Sequence, residues 1–178
     1  DNWEIAVFGD SISHGGGHIS YGPADHEFSW LSYLDFPAIN LSMSGDTSET
    51  MLERFEADVL PFHPRYLLIL NGTNSLRAGV SAAEVIADLE ELKARCLANG
   101  IRPIFLTLPP INPENIARAF DEPTADDWQT QFSLVNAFLR TEVHIDVAAA
   151  FSTHPLLPTE LALDGLHEDV IGKQLIAQ

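Results

Sequence analysis

Short runs of large apolar residues alternate along this chain with longer amphipathic stretches, and that alternation most limits the folds open to it. Residues 5–8, 38–41, 66–70, 104–108 and roughly 143–147 are each nearly continuously apolar, as strands covered on both faces of a parallel sheet should be. Between them, Val85, Leu89, Leu92 and Cys96 step at helical spacing, and Trp128, Phe132, Val135 and Leu139 repeat the pattern, so both sets read as core-facing helix stripes. Ser81 followed by Glu84, and Asp46 followed by Glu49, match the capping box that starts a helix. The expectation is a single α/β domain over residues 1–178, a three-layer α/β/α sandwich around a five-stranded parallel sheet. Ligands of such folds sit beyond the carboxyl ends of the strands. Residues 109–127 hold Pro109, Pro110, Pro113 and Pro123 and read as a surface excursion near that edge.

Charge narrows the function classes. Nine basic residues against 26 acidic ones give a net charge of −17, which repels phosphate backbones and anionic membrane surfaces. Nucleic acid is therefore not an expected partner. The single cysteine, Cys96, forms no intrachain disulfide and builds no cysteine metal site. No apolar run approaches the length of a membrane span, so stable membrane insertion is not expected. The chain begins at Asp1 with neither a Met nor a signal-like segment, the expectation for a processed chain or an excised domain. Compartment stays open between cytoplasm and export after processing.

After the first strand comes Gly9-Asp10-Ser11, where a glycine permits a tight turn and Ser11 is presented at a helix start. Such a serine serves either as a helix cap or as a nucleophile. A nucleophile needs a base, and the base needs a group that fixes its tautomer. Asp164-Gly165-Leu166-His167 spaces a carboxylate and an imidazole one helical turn apart, although a turn residue and a solvated histidine would use the same letters. Donors for a developing oxyanion are offered by Gly45, before a predicted helix, and by Asn74 in Asn71-Gly72-Thr73-Asn74. Each loop by itself is also ordinary turn chemistry.

Together, Gly9-Asp10-Ser11, Gly45, Gly72-Thr73-Asn74 and Asp164-Gly165-Leu166-His167 resemble, in order and spacing, the four sequence blocks of the SGNH hydrolases, or GDSL esterase and lipase family. The resemblance spans nearly the whole chain and implies a flavodoxin-like sheet of order 2-1-3-4-5. It also implies a serine esterase acting on a small-molecule or carbohydrate ester, and the compact length, which leaves room for only a shallow pocket, favours short acyl or acetyl groups. In that mechanism Ser11, His167 and Asp164 form the triad, the Ser11 and Gly45 N–H groups with the Asn74 amide form the oxyanion hole, and no metal or cofactor takes part. One position departs: the family's third block usually reads Gly-x-Asn-Asp, and here Ser75 follows Asn74. That puts the bracing of the loop in question.

Two noncatalytic readings stand beside this one. A flavodoxin-like carrier would hold FMN phosphate in the loop from Ser11 to Gly17, but that loop has His14 and three glycines in place of hydroxyls, and Asp164 and His167 would be idle. A binding module could keep the fold without turnover. His14, His18 and His26 lack the fixed spacing of a metal site. Gly15-Gly16-Gly17-His18-Ile19-Ser20 lacks the last small position of a dinucleotide fingerprint.

Overall fold

The computed structural model describes residues 3–10, 38–43, 46–114, 117, 123–151 and 156. Five parallel strands form one sheet in the order β2-β1-β3-β4-β5: β1 Ile5–Gly9, β2 Ile39–Asn40, β3 Tyr66–Leu70, β4 Arg102–Leu106 and β5 His144–Ile145. The order is the one expected. Among the described residues three longer helices follow strands: α1 Ser48–Asp58, α3 Ala82–Ala98 and α4 Trp128–Leu139, with the one-turn α2 Thr73–Arg77 shortly after β3. Short 3-10 turns follow α1 at Leu60–Phe62 and β5 at Val147–Phe151.

The predicted stripes form the core. Val85, Leu89, Leu92 and Cys96 on α3, and Trp128, Phe132, Val135 and Leu139 on α4, are all buried. They pack with Ala6, Val7 and Phe8 of β1, the four residues Leu67 to Leu70 of β3, and Phe105 and Leu106 of β4. Burial pushes the Cys96 thiol up to about 12, as an apolar surrounding disfavours a thiolate. Among the described residues no helix is long and apolar enough to cross a membrane.

Several boundaries differ from the sequence expectation, β2 being shorter at Ile39–Asn40, and at three elements the physical reason is visible. First, β4 starts two residues early, because Arg102 N–H donates to the Arg65 carbonyl at 2.9 Å and Pro103 aligns with Leu67. It also ends early: Leu108 leaves the sheet and pairs with the Asn136 side chain, its N–H donating at 2.7 Å and its carbonyl accepting at 3.2 Å. Second, β5 stops at Ile145, because the Asp146 carbonyl turns to accept from Ala149 N–H at 3.2 Å as the 3-10 turn at Val147–Phe151 begins. Third, α1 is capped by Thr47 with Thr50, not by Asp46 with Glu49. The Asp46 carboxylate is held instead by Arg54, and a charge-assisted pair outcompetes a cap. The Ser81–Glu84 capping box of α3 forms as expected. Residues 109–127 fall partly outside the described residues.

Candidate active site

Parallel pairing brings the ends of β1, β2 and β3 to one edge. Gly9 of β1 stands beside Leu70 of β3, and Leu41 and Met43 donate N–H to the Val7 and Gly9 carbonyls, at 2.8 and 3.0 Å. In sequence, Ser11, Gly45 and Asn74 follow the ends of these three strands. Of the predicted site residues, Asn74 is described; Ser11, Gly45, Asp164 and His167 lie outside the described residues.

Asn74 lies in the first turn of α2. Gly72 precedes that helix with φ of +128°, a region that residues with a Cβ rarely enter, and this lets α2 begin with only Asn71 and Gly72 between it and β3. The Asn74 amide nitrogen donates to the Asp46 carbonyl at 2.9 Å, and the Asn71 amide donates to the same oxygen at 3.3 Å. An amide NH2 carries two hydrogens, so this bond engages one of those on Asn74. Asn71 and Thr73 are buried, and the Asn71 Oδ1 and Thr73 Oγ1 atoms have no hydrogen-bond partner among the described residues.

The Asp46 side chain is equally constrained. Its carboxylate is buried, accepts from Arg54 Nε at 2.7 Å and Thr50 Oγ1 at 3.0 Å, and pairs with the Arg54 guanidinium. Behind it, Ser48 at the start of α1 donates its N–H to Ser75 Oγ at 3.1 Å, and its hydroxyl donates to Asp88 Oδ2 at 2.6 Å. The departure at Ser75 thus has a local answer: a hydroxyl accepts the helix N–H, and the carboxylate comes from α3.

At the far side of the edge, Asp146 accepts from Thr107 Oγ1 at 2.8 Å, from Arg140 Nε at 3.0 Å and from Ala149 N–H at 3.3 Å. The Arg140 side chain, bonded to Asp146, holds its carboxyl below the usual range despite an opposing push from burial; Thr107 and the Ala149 N–H add to the lowering. Among the described residues no group of three or more His, Cys, Asp or Glu side chains is placed to hold a metal ion.

Sequence reasoning missed Arg54, Asn71, Asn136 and the Ser48–Asp88 bond. Arg54 did leave a trace: it is the only basic residue of α1, among Glu49, Glu53, Glu56 and Asp58, and besides Asp46 it pairs with Asp58 four residues on, at 3.5 Å.

The model of the GDSL-like lipase/acylhydrolase family matches residues 7–175. The chain belongs to this family. A lipase/acylhydrolase from Enterococcus faecalis superposes with a TM-score of 0.74 at 22% identity, over 98% of this chain and 91% of that one. An acetylxylan esterase from Geobacillus stearothermophilus does so at 0.69 and 22%, over 97% and 90%. At these identities the likeness is one of fold. An uncharacterized lipoprotein of Bacillus subtilis, YqeF, is 28% identical over 120 residues, 61% of this chain. The chain's match spans about half, 49%, of that relative's length. The carboxyl ends of β1, β2 and β3 share one edge here, and Asn74 stands at it.

Proposed function

We propose that this chain is a serine ester hydrolase that cleaves short acyl or acetyl esters, including those on carbohydrates, through Ser11, His167 and Asp164. The observation that carries the reading is the Asn74 amide, fixed at 2.9 Å on the Asp46 carbonyl, one residue beyond Gly45, at the edge where the strand leading to Ser11 also ends. Family membership supports the same reading. The esters of carbohydrates enter because one protein of like fold is an acetylxylan esterase.

In this mechanism His167 takes the Ser11 proton and Ser11 attacks the ester carbonyl. The tetrahedral oxyanion is stabilised by the Ser11 and Gly45 N–H groups and by the second Asn74 amide hydrogen. Asp164 holds the His167 tautomer and stabilises the imidazolium. His167 then protonates the leaving alcohol, and water repeats the sequence on the acyl-enzyme. Donors held by other bonds before substrate arrives need little reorganisation, which is what makes such a site effective.

The test is hydrolysis of nitrophenyl esters across acyl chain lengths, run beside acetylated xylooligosaccharides, together with labelling by a fluorophosphonate. Turnover highest on acetyl or other short chains, and labelling abolished in Ser11→Ala, are the expected results. A parent protein that neither labels nor turns over any ester refutes the enzyme and leaves the binding module. A yellow flavin absorbance in the purified protein would instead favour the FMN carrier.

A further inference from the structure

We infer that Arg54 is a positioning residue that couples the nucleophile loop to the oxyanion loop; the inference rests on the hydrolase reading above. Side chains on a helix lean toward its amino end, and from the second turn of α1 the Arg54 guanidinium reaches back over the sheet edge. Its Nη1 donates to the Leu41 carbonyl at 2.7 Å, beyond the end of β2, and its Nη2 to the Gly9 carbonyl at 3.4 Å, at the end of β1. Its Nε donates to the Asp46 carboxylate at 2.7 Å. The guanidinium carbon also lies 4.3 Å from the centre of the Phe8 ring, a cation–π contact that fixes the plane of the fork.

One side chain therefore bonds three separate segments. Gly9 stands two residues before Ser11, Leu41 begins the loop that carries Gly45, and Asp46 follows Gly45 directly. The Asp46 carbonyl in turn receives the Asn71 and Asn74 amides, so the chain of bonds runs from the nucleophile strand through Arg54 and Asp46 to the proposed oxyanion donor. A planar fork of five donors suits the arrangement, and a lysine, with one ammonium, cannot reproduce it.

The experiment compares Arg54→Lys and Arg54→Met with Arg95→Met. Arg95 also donates to a backbone carbonyl, that of Leu52 at 2.8 Å, and pairs with Glu91 and Glu56, but it makes these contacts among helices away from the edge. Arg54→Lys is expected to lower kcat about 100-fold, the scale of a small misplacement of reacting groups, while KM moves less than about threefold. Labelling of Ser11 by the fluorophosphonate should slow in parallel. Arg95→Met should lower the melting temperature and leave kcat near the parent value. Should Arg54→Met fail to fold, Arg54→Lys still decides.

An Arg54→Lys protein with parent-like kcat overturns the coupling while the hydrolase reading stands on the parent's labelling. So does an equal loss of kcat in Arg95→Met, which would make the effect one of general stability. A parent that neither labels nor hydrolyses esters overturns both.

Discussion

Asn74 reaches the Asp46 carbonyl with its amide nitrogen at 2.9 Å, and Asn71 reaches the same oxygen at 3.3 Å. The two amides share one acceptor, so removing one leaves the other in place. Asn74→Ala should therefore stay folded, with a melting temperature close to the parent's, and lose about 100-fold or more in turnover, the usual loss for one oxyanion donor. Steady-state kinetics on a short nitrophenyl ester, beside a thermal melt, checks both halves. Equal rates in parent and variant would remove Asn74 from the site.

The Ser48–Ser75–Asp88 arrangement predicts a sign that family resemblance alone would get wrong. Ser75→Asp restores the family's usual residue, yet here it places a second carboxylate beside Ser48, whose hydroxyl already donates to Asp88. Like charges in a partly buried site repel. Ser75→Asp should lower stability, and Asp88→Asn in the same chain should recover part of the loss. Ser75→Ala should cost about 1–3 kcal/mol, because the buried Ser48 N–H loses its acceptor. Urea unfolding of the single and double variants measures the coupling, and additive losses would contradict it.

Asn136 makes a third case. It sits on the buried face of α4 and forms both bonds that hold Leu108 after β4 ends, at 2.7 and 3.2 Å. Asn136→Leu keeps the branched outline of the side chain, with some added bulk, but leaves a buried N–H and a buried carbonyl without partners. The expected cost is about 1–3 kcal/mol for each group left unsatisfied, read by chemical denaturation. A variant as stable as the parent would show that water or a shift of the loop satisfies Leu108.

What could be read from the sequence was what periodicity and local turn chemistry encode. The apolar run 66–70 coincides with β3, the stripes on α3 and α4 are buried as spaced, and Ser81 caps with Glu84. Asn74 was legible as an amide close after a strand, and its neighbourhood followed from sheet order. The positions misread or missed are those where a distant partner decides. Asp46 looks like a cap until Arg54, eight residues on, takes its carboxylate. Asn136 looks like a polar interruption of a stripe until Leu108 lies against it. Ser75 looks like a loss until Asp88, from another helix, appears behind Ser48. None of these pairings has a fixed spacing, so no local pattern announces them.

The last prediction concerns pH. Asp146 titrates below the usual carboxylate range in the folded protein, chiefly because Arg140 bonds its charged form. As pH falls, the unfolded chain protonates this carboxyl first, so folding loses stability as pH drops from the ordinary carboxylate value through the depressed folded one. Above that window the contribution is fully present. Asp146→Asn should therefore be less stable than the parent at neutral pH, and the gap should narrow in acid, since protonation removes the same charge from the parent. Arg140→Gln should reproduce most of the effect, because its side chain supplies the leading cause. Urea unfolding at a series of pH values from about 7 down to about 3 covers the window. Curves for parent and Asp146→Asn that stay parallel across it would mean that the carboxylate contributes through its hydrogen bonds and not through its charge.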